Sequence, residues 1–185
     1  MVQREIKVVI GAGAFNHNPD WLQTEESELN LLMPSQWESR FELQSISAIL
    51  AEHVWEHLSY EEGLKAAKLC IQYLKPGGYI RCAVPDANFR NEWYQSMVKV
   101  GGPGPADHPA ASHKIVYDYM SLTSMFTEAG FQARLLEYCD EDGRFIYQDW
   151  DERDGYIYRS KRFDHRNQDD SLGFVSLIVD AIKPI

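Results

Sequence analysis

The chain has 185 residues, 44% of them hydrophobic and 25% charged, which is the balance of an ordinary globular protein with one buried core. Lysine and arginine number 18 against 28 acidic residues, so the formal charge is −10. That charge disfavours sequence-independent binding to nucleic acid or to an anionic membrane. We therefore expect one domain over residues 1–185, with a small molecule as its ligand and neither nucleic acid nor membrane as a partner. The sequence leaves the oligomeric state open.

The sequence predicts neither a membrane span nor a secretion signal. No apolar run approaches the roughly 20 residues that cross a bilayer, and the first residues lack the apolar stretch of a signal peptide. The cysteines, Cys70, Cys82 and Cys139, fit neither a disulfide framework nor a zinc-ligand spacing. We expect reduced, buried thiols and a cytoplasmic location.

The first half of the chain predicts four strands and one helix. Apolar runs at 6–10, 21–24 and 46–51 are typical of short buried strands, and the first stops at a glycine turn. Ser59 stands at a helix N-cap position with Glu62 at the capping-box position. The breakers at 75–78 end this helix, and residues 79–84 predict a further strand. Because such a crossover is right-handed, the strands on either side of the helix run parallel.

The second half predicts a helix over about 115–129, a strand over 131–138 and a final strand over 172–182. Alternating strands and helices predict an α/β fold, a Rossmann-like three-layer sandwich with a mostly parallel sheet. The two late strands, joined by an acidic and aromatic segment, predict an antiparallel edge strand.

Ligands of such sheets bind at the carboxyl ends of the strands. Glycines after the first strand let backbone amides approach a ligand, although Asn16 stands where the dinucleotide fingerprint has a third small residue. Glu25 follows the second strand and can accept hydrogen bonds from both ribose hydroxyls; a solvated loop glutamate is the alternative. The short interval between Gly13 and Glu25 predicts that the first crossover helix is reduced to a loop over 15–20.

Residues 53–57, His-Val-Trp-Glu-His, match the H-x-x-E-H pattern of inverzincin metallopeptidases. In those enzymes both histidines bind zinc from one long helix and the glutamate acts as the base. Here the motif begins where a strand is predicted to end, and the sequence identifies no further ligand. We therefore expect no metal site, and a zinc hydrolase using His53, Glu56 and His57 stays the minor alternative.

Residues 49–85, ILAEHVWEHLSYEEGLKAAKLCIQYLKPGGYIRCAVP, resemble class I S-adenosylmethionine-dependent methyltransferases. In particular, these residues are similar to the pattern HVLEHL … LKPGGYLRIAVPD of a small bacterial branch of that family, which is methyltransferase type 11-like. VVIGAGAF resembles the family's first motif, WLQTE its second strand, and RSKRFDHRNQ and SLIVDAIKP its C-terminal part. The resemblance covers nearly the whole chain, and it implies a Rossmann-like fold, S-adenosylmethionine as cofactor and methyl transfer as activity.

The resemblance also implies the cofactor contacts. These are Gly11, Ala12 and Gly13 under the methionine part, Glu25 at the ribose, Asn30 and Leu31 near the adenine, and Glu52 and His53 on the methionine or sulfonium side. His57 either faces the same cleft as a further cofactor contact or caps the following helix.

The acceptor side of the site is less defined. His53 and His113 are candidate general bases, since an imidazole has a pKa of about 6.5. A surface or helix-terminal histidine is the alternative for His113. The candidate acceptor-binding residues are Asp107, His108, Tyr117, Arg162 and Arg166, of which the two arginines can instead make loop-stabilising ion pairs.

The expected reaction is methyl transfer to a small-molecule or glycan-type acceptor. It is an in-line displacement, so positioning can supply much of the catalysis. A hydroxyl acceptor would use a base, whereas a carboxylate acceptor would not. Because the third glycine is missing, a cofactor-binding module without catalysis is the second hypothesis.

Overall fold

The computed structural model describes residues 5–14, 16–169 and 171–185. In these residues the strands are β1 Ile6–Ile10, β2 Leu22–Thr24, β3 Ile46–Glu52, β4 Leu74–Pro85, β5 Gln132–Cys139, β6 Phe145–Tyr147 and β7 Ser176–Ile182. The α-helices are α1 Pro34–Glu38, α2 Tyr60–Tyr73, α3 Glu92–Val98 and α4 Tyr119–Glu128.

The strands form one sheet in the order β2-β1-β3-β4-β7-β5-β6. The first four pair in parallel, whereas β7 pairs antiparallel with both β4 and β5, and β6 pairs antiparallel with β5. Five strands therefore point in one direction, which confirms the predicted mostly parallel α/β sheet. The predicted antiparallel pairing of the two late strands is also confirmed. β7 lies inside the sheet, between β4 and β5, and its side chains are buried on both faces. β6 forms the edge of the sheet beyond β5.

Local signals in the sequence fix two helix starts. The Ser59 side chain accepts a hydrogen bond from the Glu62 N–H and the Glu62 carboxylate accepts one from the Ser59 N–H, so the predicted capping box is present. α4 begins at Tyr119, later than predicted, because Asp118 forms its own capping box with Ser121. The described residues between β1 and β2 contain no helix, as predicted; Phe15, in that loop, lies outside the described residues.

The two faces of the sheet are covered differently. Helices α1, α2 and α4 pack on one face, around large buried side chains such as Trp37, Trp55 and Phe126. On the other face, Trp21, Trp150 and Ile157 cover the alternate residues of the strands. Apart from Trp21, these covering residues belong to the irregular segment 148–163, which we call the covering segment. None of the described helices is long and apolar enough to cross a membrane.

A buried arginine holds the covering segment on the sheet. Arg81 of β4 is 1% exposed; its Nε and Nη2 donate to Asp180 of β7 at 2.8 and 3.0 Å. Its Nη1 donates to the backbone oxygens of Asp151 and Gly155 at 3.1 and 3.0 Å. Arg134 of β5 donates to the same Asp180 from a half-exposed position. One guanidinium thus joins two central strands to the covering segment.

Replacing Arg81 with methionine should lower the free energy of unfolding by about 3–5 kcal/mol, because Asp180 stays buried and two backbone carbonyls lose their donor. The matched variant Arg134→Met removes an exposed partner of the same carboxylate and should cost less than about 1 kcal/mol. Urea unfolding of both variants measures the difference. Equal losses would show that the buried position of Arg81 does not matter.

Candidate functional site

A cavity of about 700 Å³ opens at the carboxyl ends of β1 and β3, a size typical of small-molecule and cofactor sites. Its walls come from six parts of the chain: the end of β1 with the loop after it, Gln23 of β2, the end of β3 with residues 53–57, helix α3, residues 108–113, and four residues of the C-terminal part, Tyr158, Arg159, Arg166 and Phe174. This position agrees with the prediction that a ligand binds at the carboxyl ends of the strands.

The loop after β1 presents backbone to the cavity. Gly11 and Gly13 both have a φ of +62°, the left-handed region that favours glycine. A Cβ on Gly11 would lie 2.9 Å from Cγ2 of Val54, so the loop can pack there only as glycine. A Cβ on Gly13 would meet no atom within 4 Å. The Gly13 backbone therefore borders open space, where a ligand can approach it closely.

Glu52, the last residue of β3, fixes another wall. Its carboxylate accepts hydrogen bonds from the N–H groups of Tyr158 and Arg159 at 3.1 and 2.8 Å. The Arg159 guanidinium lies 3.5 Å from the same carboxylate. Tyr158 in turn stacks on His17, with ring centroids 5.1 Å apart. Glu52 thus binds the covering segment and makes it a wall of the cavity.

His53 follows with a φ of +55°, which is uncommon for a residue with a side chain. Its N–H donates to the Ala83 oxygen at 2.8 Å, and its Nε2 lies 3.0 Å from the Ser176 hydroxyl. Burial, together with the Arg159 charge, lowers the pKa of His53 to about 3. The ring is therefore neutral near pH 7 and is a weak base.

Glu56 is a fully buried carboxylate on the cavity wall. Neither of its oxygens accepts a hydrogen bond from any described residue. Nδ1 of His53 and Nε2 of His113 lie 3.2 and 3.9 Å from its Oε1, the first outside hydrogen-bond geometry and the second beyond hydrogen-bond distance. Burial raises the pKa of Glu56 to about 7.

His113 reaches this carboxylate from a distant part of the chain. The backbone oxygen of Glu56 accepts hydrogen bonds from the N–H groups of Lys114 and Ile115 at 2.8 and 3.4 Å. This docks the segment 108–115 on the 3-10 helix Trp55–His57. The His57 and His113 rings then meet edge to face, with centroids 4.9 Å apart. His113 thus meets Glu56 and His57, which are neighbours in the sequence and lie more than fifty residues before it.

The structure brings most, but not all, of the predicted site residues to the cavity. Those that line it are Gly11, Ala12, Gly13, Glu52, His53, His57, His108, His113 and Arg166. Those that do not line it are Glu25, Asn30, Leu31, Asp107, Tyr117 and Arg162.

Each residue of the second group has another environment. Glu25 is exposed and starts a turn in which its oxygen accepts from the Glu28 and Leu29 N–H groups. Leu31 is buried in the core, and Asp107 is exposed. The side-chain oxygen of Asn30 accepts a hydrogen bond from the Leu32 N–H within its own turn. Tyr117 is fully buried among core side chains on the helical face. Arg162 pairs with Glu152 at 3.0 Å and lies over the Trp150 ring.

Several lining residues were not predicted. Arg159, Tyr158 and Phe174 come from the C-terminal part, and Trp93 and Met97 come from α3. Trp93, the second residue of α3, is 53% exposed although it is a large aromatic residue. Tyr158 and Arg159 reach the cavity because the covering segment folds back over the sheet, which no local pattern indicates.

No protein-family model matches the sequence, and no curated protein matches it. Solved structures do match. A SAM-dependent methyltransferase from Archaeoglobus fulgidus is 14% identical, with a TM-score of 0.57 over 97% of this chain and 86% of that chain. The chain has the fold of the SAM-dependent methyltransferases.

Two further structures agree with this fold. A SAM-dependent methyltransferase of Thermotoga maritima, a possible histamine N-methyltransferase, is 14% identical, with a TM-score of 0.53 over 99% of this chain and 84% of that one. One from Methanosarcina mazei is 12% identical, with a TM-score of 0.52 over 100% of this chain and 95% of that one. The fold that the sequence resemblance implied is confirmed. Because one fold hosts many functions, the side chains of the site decide the function.

Replacing Glu52 with glutamine should loosen the cavity wall, because an amide offers one acceptor oxygen to two backbone N–H groups. Hydrogen bonds to a charged group contribute about 1.5–3 kcal/mol, so amide exchange at Tyr158 and Arg159 should accelerate about tenfold or more. Hydrogen–deuterium exchange of the peptide that contains them measures this. The exposed Glu61→Gln is the control, and equal exchange in both variants would contradict the assigned role of Glu52.

Proposed function

We propose that this chain transfers a methyl group from S-adenosylmethionine to a small-molecule or glycan-type acceptor. The observation that carries the proposal is the glycine-lined cavity at the carboxyl ends of β1 and β3, in a fold shared with SAM-dependent methyltransferases. That edge of the sheet is where α/β proteins bind their cofactors.

The residues at the cavity fit this cofactor. The open space beside Gly13 leaves room for a ligand against the backbone of the loop, so Gly11, Ala12 and Gly13 are proposed to hold the methionine part. Glu52, His53 and His57 line the neighbouring wall, after β3, and are proposed for the sulfonium side.

The ribose and adenine contacts are proposed from the resemblance and from position on β2. Glu25 directly follows β2, the strand next to β1, and its carboxylate makes no hydrogen bond with a described residue. It is our proposed ribose ligand, with Asn30 and Leu31 nearest the adenine. Gln23 of β2 lines the cavity itself and is a further candidate on this side.

When bound, S-adenosylmethionine supplies an electrophilic methyl group on a sulfonium. The task of the chain is then to orient the acceptor in line with the methyl group and to exclude water. His108, Arg159 and Arg166 line the remaining walls and are the proposed acceptor contacts. Asp107, Tyr117 and Arg162, which do not line the cavity, have no part in this proposal.

A hydroxyl acceptor must lose a proton, and His113 is the better of the two predicted bases. Its Nδ1 lies 2.8 Å from the Val98 carbonyl, which can only accept, so Nδ1 carries the proton and Nε2 keeps its lone pair. His53 has a pKa too low for this role. Its bond with Ser176 instead fits a positioning role in the cavity wall.

Isothermal titration of the purified chain with S-adenosylmethionine and S-adenosylhomocysteine tests the cofactor, with NAD as the negative control. We expect micromolar dissociation constants for both sulfur ligands and no heat with NAD. Gly13→Ala should weaken both at least about tenfold, because a methyl group there occupies the space of the ligand.

Gly77→Ala is the matched control for this variant. Gly77 also has a positive φ, +77°, and open space around its Cβ position, but it lies near the start of β4, at the other end of the sheet. Both variants carry the backbone strain of about 1–2 kcal/mol, and only Gly13→Ala should lose affinity. A folded wild-type chain that binds neither sulfur ligand would overturn the proposal.

A further inference from the structure

We propose that Glu56, His57 and His113 form a binding site for one divalent metal ion of the Zn²⁺ type. Each offers a ligand atom, and these atoms lie within 4.8 Å of one another on the wall of the cavity. Two imidazoles and one carboxylate suit zinc, cobalt or ferrous iron better than magnesium or calcium. The H-x-x-E-H pattern pointed to Glu56 and His57 but paired them with His53, whereas the third ligand here, His113, comes from a distant loop.

The first argument is the Glu56 carboxylate. It is fully buried, and neither oxygen accepts a hydrogen bond from a described residue. A buried carboxylate without partners is costly, and buried charges in proteins are paired or coordinate metals. A cation between Glu56 and the two histidines would satisfy its oxygens.

The second argument is the orientation of the histidines. Nδ1 of His113 donates to the Val98 oxygen at 2.8 Å, which leaves the Nε2 lone pair free. Nδ1 of His57 lies 2.8 Å from the Ser112 hydroxyl, and that hydroxyl donates to the Pro109 oxygen at 3.4 Å. Ser112 therefore accepts from His57 and leaves its Nε2 lone pair free as well. Metal-binding histidines are held in this way, by an acceptor on the other ring nitrogen.

The third argument is geometry. Zinc bonds of about 2.1 Å separate tetrahedral ligand atoms by roughly 3.4 Å, so the widest pair here must close by about 1.4 Å. His57 is the one ligand of the three that is only partly buried, so a small movement of its side chain that keeps the Ser112 contact can supply this. Three protein ligands leave one position open, as in catalytic zinc sites, and that position borders the cavity.

The arrangement differs from that of the inverzincins. His53 ends β3 and His57 ends a three-residue 3-10 helix, so the two do not share a long helix. The Nε2 of His53 contacts Ser176, and its Nδ1 lies 3.2 Å from Glu56 Oε1. His53 thus lies beside the carboxylate as a positioning residue, and His113 is the second imidazole ligand.

A bound metal ion would occupy the Nε2 lone pair of His113, which the proposed function assigns to the general base. Only this consequence of metal binding rests on the proposed function. The site itself does not rest on it, because the metal can be titrated without cofactor or acceptor. Failure of metal binding would leave the S-adenosylmethionine titration untouched, and the reverse also holds.

The experiment is a titration of the chelator-treated, dialysed full chain with Co²⁺ and with Zn²⁺. The visible absorption of bound Co²⁺ and the calorimetric stoichiometry of Zn²⁺ are the readouts. We expect one ion per chain, with affinity about 100-fold or more lower in His57→Gln and His113→Gln. His165→Gln, at a surface histidine, is the matched control, and His53→Gln should keep the ion.

Glu56→Gln separates a metal ligand from a structural residue. The variant removes a buried charge, so the metal-free protein should be at least as stable to urea as the wild type while it loses Co²⁺ absorption. Three results would overturn the site: no stoichiometric binding by the folded wild type, unchanged binding in Glu56→Gln, or loss of binding in His53→Gln but not in His113→Gln.

Discussion

The guanidinium of Arg81 is the interaction on which the cavity depends. It lies among central strands, where a charge without partners would be strongly destabilising, and its donors are divided between Asp180 and two backbone oxygens of the covering segment. The ion pair satisfies the charge, and the backbone contacts hold an irregular segment against a face of the sheet that no α-helix covers among the described residues. Arg81 holds this segment at residues 151 and 155, and Glu52 holds it at residues 158 and 159, where it forms one wall of the cavity.

The cavity is therefore built from both ends of the chain. The N-terminal part contributes a glycine loop whose backbone conformation is set by positive φ angles. The C-terminal part returns across the sheet, and Glu52 binds its backbone through two N–H groups. This carboxylate, which the resemblance implied as a cofactor contact, also positions the wall opposite the glycines. A ligand between them would contact parts of the chain far apart in sequence, so its binding would stabilise the closed arrangement.

Stability and function make different demands at Glu56. A glutamine or an apolar residue would fill the same volume without the cost of a buried, unpaired carboxylate. Groups of this kind are characteristic of functional sites, where burial and neighbouring titratable groups alter proton and metal affinity. In each of the neighbouring histidines Nδ1 is bonded, to Ser112 in His57 and to Val98 in His113, which leaves Nε2 free for a ligand. Such preparation of the ligand atoms is typical of a site that binds a ligand rather than of core packing.

The sequence by itself determined the strands β1, β3 and β4, the capped start of α2 at Ser59 and the strand ends at which a ligand would bind. These features follow from apolar runs, breakers and caps, all of which act over a few residues. Only the tertiary structure decided that Tyr117 lies in the core, that Arg162 lies away from the cavity, and that His113 meets Glu56. The reason is physical: these placements depend on hydrogen bonds and packing between distant segments, which leave no period or spacing in the local sequence.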